Sequence, residues 1–465
     1  MSDVIVMGGG PVGLTSALLL AGDGHDVTVL EKDRAGFADP SDAWDRWARI
    51  GARQFRQPHV LLPGGWMLLQ QELPDVVHEL RLVGAEVVNH VAGAWRVPDV
   101  GGRRDGDERF EVLGARRPVL EAGLGAVAAR TSSLTIHHGA AVARLVTEVG
   151  PPPRVTGVRT QGGDIFHADV VIDATGRNSP LPKLLSDIGV VPAIDERAPI
   201  GFTYYSRHFT GPRPPQWEWP IDHHASLSTV VLPGDNGTWS VAMTVAGNDK
   251  ELCELRHPEV WQRVAALLPN IERFTRAEPL TGVLPMDGTE SRRRGLVLDG
   301  RPVITGLINI GDAWATTSPQ FGFGLSMGIE QAVTVRELLS TVGTDDPVEM
   351  AVRFEEMSEN TSGDLHQRLV AWDRHRLAEM QAGRQGVPYE TDDQDWHLMK
   401  AMDATKLLDG DVMRAVADVG SMLAMPEDVL VRPGIADKIK RLSADAPAFP
   451  APGPTHAELL AAINA

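Results

Sequence analysis

The sequence predicts an α/β protein with an inserted antiparallel β-sheet and a helical C-terminal region. Three observations predict it. Residues 1–33 read as strand, glycine turn, helix and strand. Apolar runs at 170–172 and 303–310 read as further buried strands of the same parallel sheet. Between them, from about 200 to 286, short alternating strands rich in aromatics take over.

Val4-Ile5-Val6-Met7 is the first strand, and Gly8-Gly9-Gly10-Pro11-Val12-Gly13 follows at once. Leu14 to Ala21 reads as a buried helix, Val27 to Leu30 as the second strand, and Glu31 closes it beside Lys32. This is G-x-G-x-x-G between strand and helix, with an acid about 20 residues on. Gly8 permits the tight turn, Gly10 lets backbone approach a pyrophosphate, and Gly13 lets helix pack on strand. Pro11 and Val12 lie at the helix start, where free N–H groups and the positive helix end attract phosphates. Glu31 can accept from a ribose hydroxyl. The reading is a site for an ADP-containing dinucleotide.

After a loop at 34–40, residues 41–59 hold Trp44, Arg46, Trp47, Arg49, Arg53 and Arg56, whose arginines are close enough to the nucleotide fold to reach its ligand or to form a solvated face, and His59 is a further candidate lining residue. Residues 61–84 read as helix, 85–89, 94–98 and 109–112 as short strands, and 101–107 as a polar turn. Arg117-Pro118 opens a helix to Arg130, with proline well placed in its first turn. Strands at 134–138 and 141–149 precede a meander at 155–160 and 164–168. The strand at 170–172 ends in Asp173-Ala174-Thr175-Gly176. The inserted sheet has strands at 201–209, 226–232 and 238–245, and a helix follows at 258–268. Alternation puts Tyr205, Arg207 and Phe209 on one face and Tyr204 and His208 on the other. The strand at 303–310 runs into Gly311-Asp312-Ala313, then Pro319-Gln320-Phe321-Gly322-Phe323-Gly324-Leu325, then a helix to about 339. The remainder is mainly helical, with a Pro/Ala-rich crossing or loose tail at 447–454. Four segments result: 1–199 a nucleotide-binding domain, 200–286 a β substrate domain, 287–344 a return to the first domain, and 345–465 a helical region.

The three motifs, in this order, resemble the flavoprotein aromatic hydroxylases (the para-hydroxybenzoate hydroxylase-like class A monooxygenases) and their epoxidase, halogenase and geranylgeranyl reductase relatives. The resemblance covers roughly residues 1–340. It implies a Rossmann-like FAD-binding fold of the glutathione reductase type and the roles of several residues. Gly8, Gly10, Gly13 and Glu31 would hold the ADP half of FAD. Arg117, in an Arg-x-x-Leu pattern ending at Leu120, would contact the cofactor, and Arg49 would stand near the pyrophosphate or flavin. Asp173 and Gly176 carry the middle motif, and Gly311 and Asp312 would bond the ribityl chain. Pro319, Gly322, Gly324 and Leu325 would begin a helix aimed at the flavin, where its N-terminus stabilises the charge of the reduced ring. Ser326 stands where an Asn is common. Asp173-Ala-Thr-Gly176 also departs from the hydroxylase Asp-Gly. That leaves two electron routes open, NAD(P)H bound directly or a separate flavin reductase.

The family chemistry implied is hydroxylation or epoxidation of an apolar or aromatic small molecule, with O2 as co-substrate and a flavin C4a-hydroperoxide as reagent. Such a reagent needs a dry pocket and sometimes a base from the protein, so no catalytic triad is expected. Candidates lining the pocket are Tyr205, Arg207, His223 and His224. Alternatives are reduction of prenyl-type substrates, halogenation, or flavin binding without catalysis. The halogenase lysine has no counterpart, because no lysine occurs from 33 to 182. Trp217-Glu218-Trp219-Pro220-Ile221-Asp222 resembles a halogenase Trp-x-Trp-x-Ile-Pro motif, but ends in Asp and follows too soon after Asp173.

Bulk properties narrow the partners. A net charge of −18 argues against nucleic acid and anionic membrane surfaces. One cysteine, Cys253, allows no internal disulfide and no thiolate metal cluster. We expect no metal, a cytoplasmic location, and no leader or membrane helix.

Overall fold

The computed structural model describes residues 1–465 except 50, 53 and 212–218. Arg53, Trp217 and Glu218 lie outside the described residues. The first layer is a five-stranded parallel sheet in the order Leu307–Asn309, Val170–Asp173, Asp3–Met7, Asp26–Glu31, Leu134–His138. Helix Pro11–Gly22 packs between the helices Arg117–Arg130 and Phe323–Thr341 on one face. Its apolar residues have no polar side, because neighbours cover it all round: Leu14, Ala17 and Leu20 are fully buried. The antiparallel meander Val142–Glu148, Arg154–Thr160, Ile165–His167 covers the other face.

The inserted sheet is antiparallel, in the order Ile221–His223, Leu227–Pro233, Thr238–Ala246, Phe202–Thr210, Glu278–Pro279, with Leu284–Met286 also on Phe202–Thr210. One face is sealed by helices Pro258–Ala265, Pro269–Thr275 and His456–Asn464. Phe209, Trp239, Trp261 and Phe274 are at most 1 % exposed in this core. Truncating one of them to alanine would cost about 3–5 kcal/mol. The other face turns toward the parallel domain.

Several sequence expectations shift for local reasons. The 61–84 helix is two helices, Pro63–Glu72 and Pro74–Leu82, because Pro74 has no N–H to continue the ladder. Residues 94–100 are two tight turns, Ala94–Arg96 and Pro98–Val100, the second opened by Pro98, and not a strand. The 303–310 strand shortens to Leu307–Asn309: Gly306 takes a left-handed turn (φ +70), and a Cβ there would meet Val155 O at 2.3 Å. The Pro/Ala-rich stretch is a docked crossing. Gly453 lies so close to His224 that a Cβ would stand 2.3 Å from its ring. No helix among the described residues is long and apolar enough to cross a membrane.

Candidate functional site

A cavity of about 840 Å³ runs from the first glycine turn, along the seam between parallel domain and inserted sheet, to the C-terminal helices. Two helix N-termini open on it. Helix Pro11–Gly22 begins at Gly10 and helix Phe323–Thr341 at Gly322, and neither has a side-chain cap. Their first amides are therefore left for a ligand. A Cβ on Gly10 would meet nothing within 4 Å, whereas one on Gly13 would strike Gly8 O at 2.0 Å. Gly10 thus leaves room for a ligand, and Gly13 lets the helix close on the strand.

Of the residues read as cofactor-binding, Gly8, Gly10, Pro11, Val12, Glu31 and Lys32 line the cavity at its first end. Arg49, Arg117 and Gly176 line its middle. Asp312, Pro319, Gly322, Gly324 and Leu325 line its far side. Gly13, Asp173 and Gly311 stand behind the wall. Asp173 is fully buried and organises the middle turn, accepting from Thr175 N, Thr175 Oγ1 and Ser179 Oγ. Gly311 packs on Val12 and donates to Gln331. Ser326 Oγ accepts from Leu62 N, tying the third motif to the segment that leads into Pro63–Glu72.

Below the first end lies a buried ionic network. Arg49 contacts Glu31 at 2.6 Å, Glu121 at 2.7 Å and Asp33 at 2.9 Å. Arg117 holds the other oxygen of Glu121 at 2.5 Å and donates to His59 Nε2 at 3.1 Å. His59 in turn places Nδ1 on Gln57 O at 2.9 Å. Burial, with Arg117 beside it, lowers His59 to about 3, so it is a neutral acceptor. Burial alone would raise Glu121, but Arg117 and Arg49 outweigh it and hold the carboxyl low. Asp312 differs. It accepts no hydrogen bond among the described residues, and burial raises its carboxyl against the pull of Arg177, Arg117 and Arg294. An unclaimed carboxylate and two open helix ends on one cavity fit FAD, whose ribityl hydroxyls and phosphates would supply the missing partners.

The cavity continues past Phe321 into a chamber with two walls. Tyr204, Ser206, Val230 and Thr244 of the inserted sheet form one, and Trp372, Trp396, Met402 and Val419 of the C-terminal helices form the other. Alternation leaves the cavity-facing side of the sheet open, and the structure selects the Tyr204 side, so two of the candidates are corrected. Tyr205 and Arg207 do not line the cavity. They turn to the opposite face, where Tyr205 joins the second core and Arg207 lies over Phe209 and Trp261, because helix Pro258–Ala265 covers that side. His223 lines the cavity, but His224 points away beneath the tail crossing, so the two imidazoles do not converge. The C-terminal wall, with Trp372, His375 and Asp403, was not foreseen. Its helices read only as amphipathic, and their apolar faces look like core until the cavity is seen.

One wall carries a proton-holding chain. Tyr204 and Ser318 hydroxyls are 3.1 Å apart, and the Ser318 hydroxyl acts on the Asp373 carboxyl from beside them. Asp373 is 4 % exposed, and burial pushes its carboxyl up to about 8, against the pull of Ser318. The native state therefore binds an extra proton above the ordinary value of 3.8. Stability falls as pH rises from about 4 to 8, by roughly 1.4 kcal/mol for each unit over which only the native state is protonated. Asp373→Asn mimics the neutral form. Its melting temperature is expected to gain on the wild type steadily from pH 5 to about 8 and to level off above. An offset that stays constant across that range would contradict a protonated Asp373.

Residues 3–87 match the family model described as FAD dependent oxidoreductase. The Mycobacterium tuberculosis protein Rv3254 is 27 % identical over 364 residues, 72 % of each chain. PqsL from Pseudomonas aeruginosa, described as a probable FAD-dependent monooxygenase, is similar in structure at TM-score 0.60 and 16 % identity, covering 85 % of this chain and 98 % of its own. The myxobacterial chondrochloren halogenase CndH matches at TM-score 0.60 and 19 % identity over 95 % of each chain. The chain thus has the fold of the FAD-dependent oxidoreductases.

Proposed function

We propose that the chain is an FAD-dependent monooxygenase that hydroxylates or epoxidises an apolar, ring-bearing small molecule. One observation carries the reading: the groove passing two uncapped helix N-termini opens directly into an apolar, aromatic chamber. Bound FAD would supply acceptance of hydride from a reduced nicotinamide and reductive activation of O2. Glu31 and the Gly8–Gly13 turn would hold the ADP end, and Asp312 would accept from a ribityl hydroxyl. The backbone amides of residues 322–325 would hold negative charge at the ring edge. Phe321, Trp372 and Met402 exclude water from the substrate side.

Among the described residues the only lysine lining the cavity is Lys32, at the ADP end. That favours oxygenation over a lysine-dependent halogenation. Anaerobic mixing of the flavin-loaded protein with NADPH or NADH decides the electron route. Bleaching identifies NAD(P)H as direct donor, and persistent colour assigns reduction to a partner reductase. Turnover under 18O2 is expected to place one labelled oxygen in the product. An unlabelled, saturated product would overturn the reading in favour of a prenyl-type reductase.

A further inference from the structure

His223 ends the strand Ile221–His223 and is 4 % exposed. Its ring lies against Phe321 at 6.4 Å and Trp372 at 5.3 Å between centroids. Phe321 belongs to the turn that precedes Gly322, so His223 stands at the end of the chamber nearest the cofactor groove. Its Nδ1 is 2.9 Å from Ser228 Oγ. Arg376 Nη2 donates to the same Oγ at 3.3 Å. A guanidinium only donates, so Ser228 must place its own proton elsewhere. Nδ1 is the one acceptor in reach among the described residues. Ser228 therefore donates to Nδ1, and the imidazole proton sits on Nε2. Gln320 Nε2, 3.5 Å from Nδ1, presses the same way.

Arg376 cannot drift from this duty. It is fully buried and also donates to His224 O at 2.5 Å and Leu227 O at 2.9 Å. His223 Nε2 takes no partner among the described residues, and the residue lines the cavity. Burial, reinforced by Arg376, Lys400 and Lys406 and opposed by Asp403, keeps the ring far below its ordinary value and so neutral. Each cation that acts on His223 is already paired with a carboxylate. Arg376 and Lys400 pair with Glu379, and Lys406 pairs with Asp403 at 2.7 Å.

We propose that His223 selects the substrate, its Nε2–H donating to a neutral carbonyl oxygen of a ketone, quinone or amide on an apolar ring, while the chamber rejects the matching carboxylate. The inference rests on reading the chamber as the substrate site. A neutral donor with no free cation beside it stabilises a carbonyl oxygen but leaves an anion uncompensated.

The test uses the flavin-loaded full chain and three probes of one ring size: 1-acetonaphthone, 1-ethylnaphthalene and 1-naphthoate. Dissociation constants come from perturbation of the flavin absorbance, and thermal shifts of the apoprotein give a second readout. The wild type is expected to bind the ketone about tenfold tighter than either other probe. His223→Gln, which keeps a side-chain N–H, retains part of that preference. His223→Phe reduces it to within about twofold. Nitrogen NMR of the labelled wild type, with the His223 signal assigned by its loss in His223→Gln, is expected to report the Nε2–H tautomer. The Nδ1–H tautomer, or an equal ketone preference in wild type and His223→Phe, overturns the proposal, and the tautomer decides alone if His223→Phe fails to fold. Binding of all three probes without preference sinks the selection by His223 and leaves the chamber reading standing. Binding of none sinks both.

Discussion

Asp312→Ala is expected to purify with little bound flavin, under about a tenth of the wild-type occupancy, while its apoprotein melts close to the wild type. The reasoning turns on what the carboxylate lacks. It lines the cavity yet accepts no hydrogen bond among the described residues, and the three arginines that act on it do so at a distance. Removing it breaks no hydrogen bond among the described residues, so the fold loses little. A ligand hydroxyl loses a charged acceptor worth about 1.5–3 kcal/mol, roughly a ten- to hundredfold weaker hold. Asp312→Asn, which keeps one carbonyl acceptor, should fall between. Flavin content after desalting, read from absorbance, checks the result. Full occupancy in Asp312→Ala would remove Asp312 from the ribityl site. Loss of flavin together with a large drop in apoprotein stability would point to a fold role.

The groove end of the cavity was legible because each of its motifs is local. A Cβ on Gly13 would collide with Gly8 O, so the turn dictates its residue types within six positions. The third motif is likewise a strand end, a turn and a helix start within about twenty residues. The chamber end was not legible, for two physical reasons. The strand Phe202–Thr210 is buried on both faces, with Tyr204, Tyr205, Ser206 and Arg207 all at most 7 % exposed. Alternation separates its faces but does not rank them. The ranking comes from Trp261, more than fifty residues later, which covers the Tyr205 side and donates to Tyr205 O. The second reason is the opposite wall. Met402 and Val419 satisfy a helical apolar pattern equally well against a core or against a chamber. Long-range pairs hide in the same way. Asp107 reads as part of a polar turn, yet it is fully buried, because Arg414 arrives 307 residues later to pair with it at 2.6 Å.

Arg49→Met is expected to be the most destabilising change at the cofactor end, costing about 3–5 kcal/mol. Arg49 is 8 % exposed and forks across Glu31, Asp33 and Glu121, with a further bond to Gly9 O at 3.2 Å. Burial disfavours its charge, and Glu121 and Glu31 more than restore it. Methionine fills the stem but leaves the carboxylates facing one another. Glu121 keeps Arg117, and Glu31 keeps the amides of Gly9 and Asp33, so the loss is large without abolishing the fold. Arg49→Lys should recover only part, since a point charge cannot serve three acceptors set around a planar fork. The pH dependence separates charge from packing. In the wild type Arg49 and Arg117 hold the Glu121 carboxyl low against its burial, so losing Arg49 lets burial raise it, and the variant takes up a proton there more readily than the wild type as pH falls. The gap between variant and wild type is therefore expected to narrow from pH 7.5 to pH 5, read from denaturation midpoints. A gap that stays constant would assign the loss to packing of the arginine stem on Trp47, whose ring lies 5.8 Å from the guanidinium. On the proposed reading flavin affinity is expected to fall as well, because Arg49 and the amides of Gly9 and Asp33 together hold the Glu31 carboxylate at the first end of the cavity.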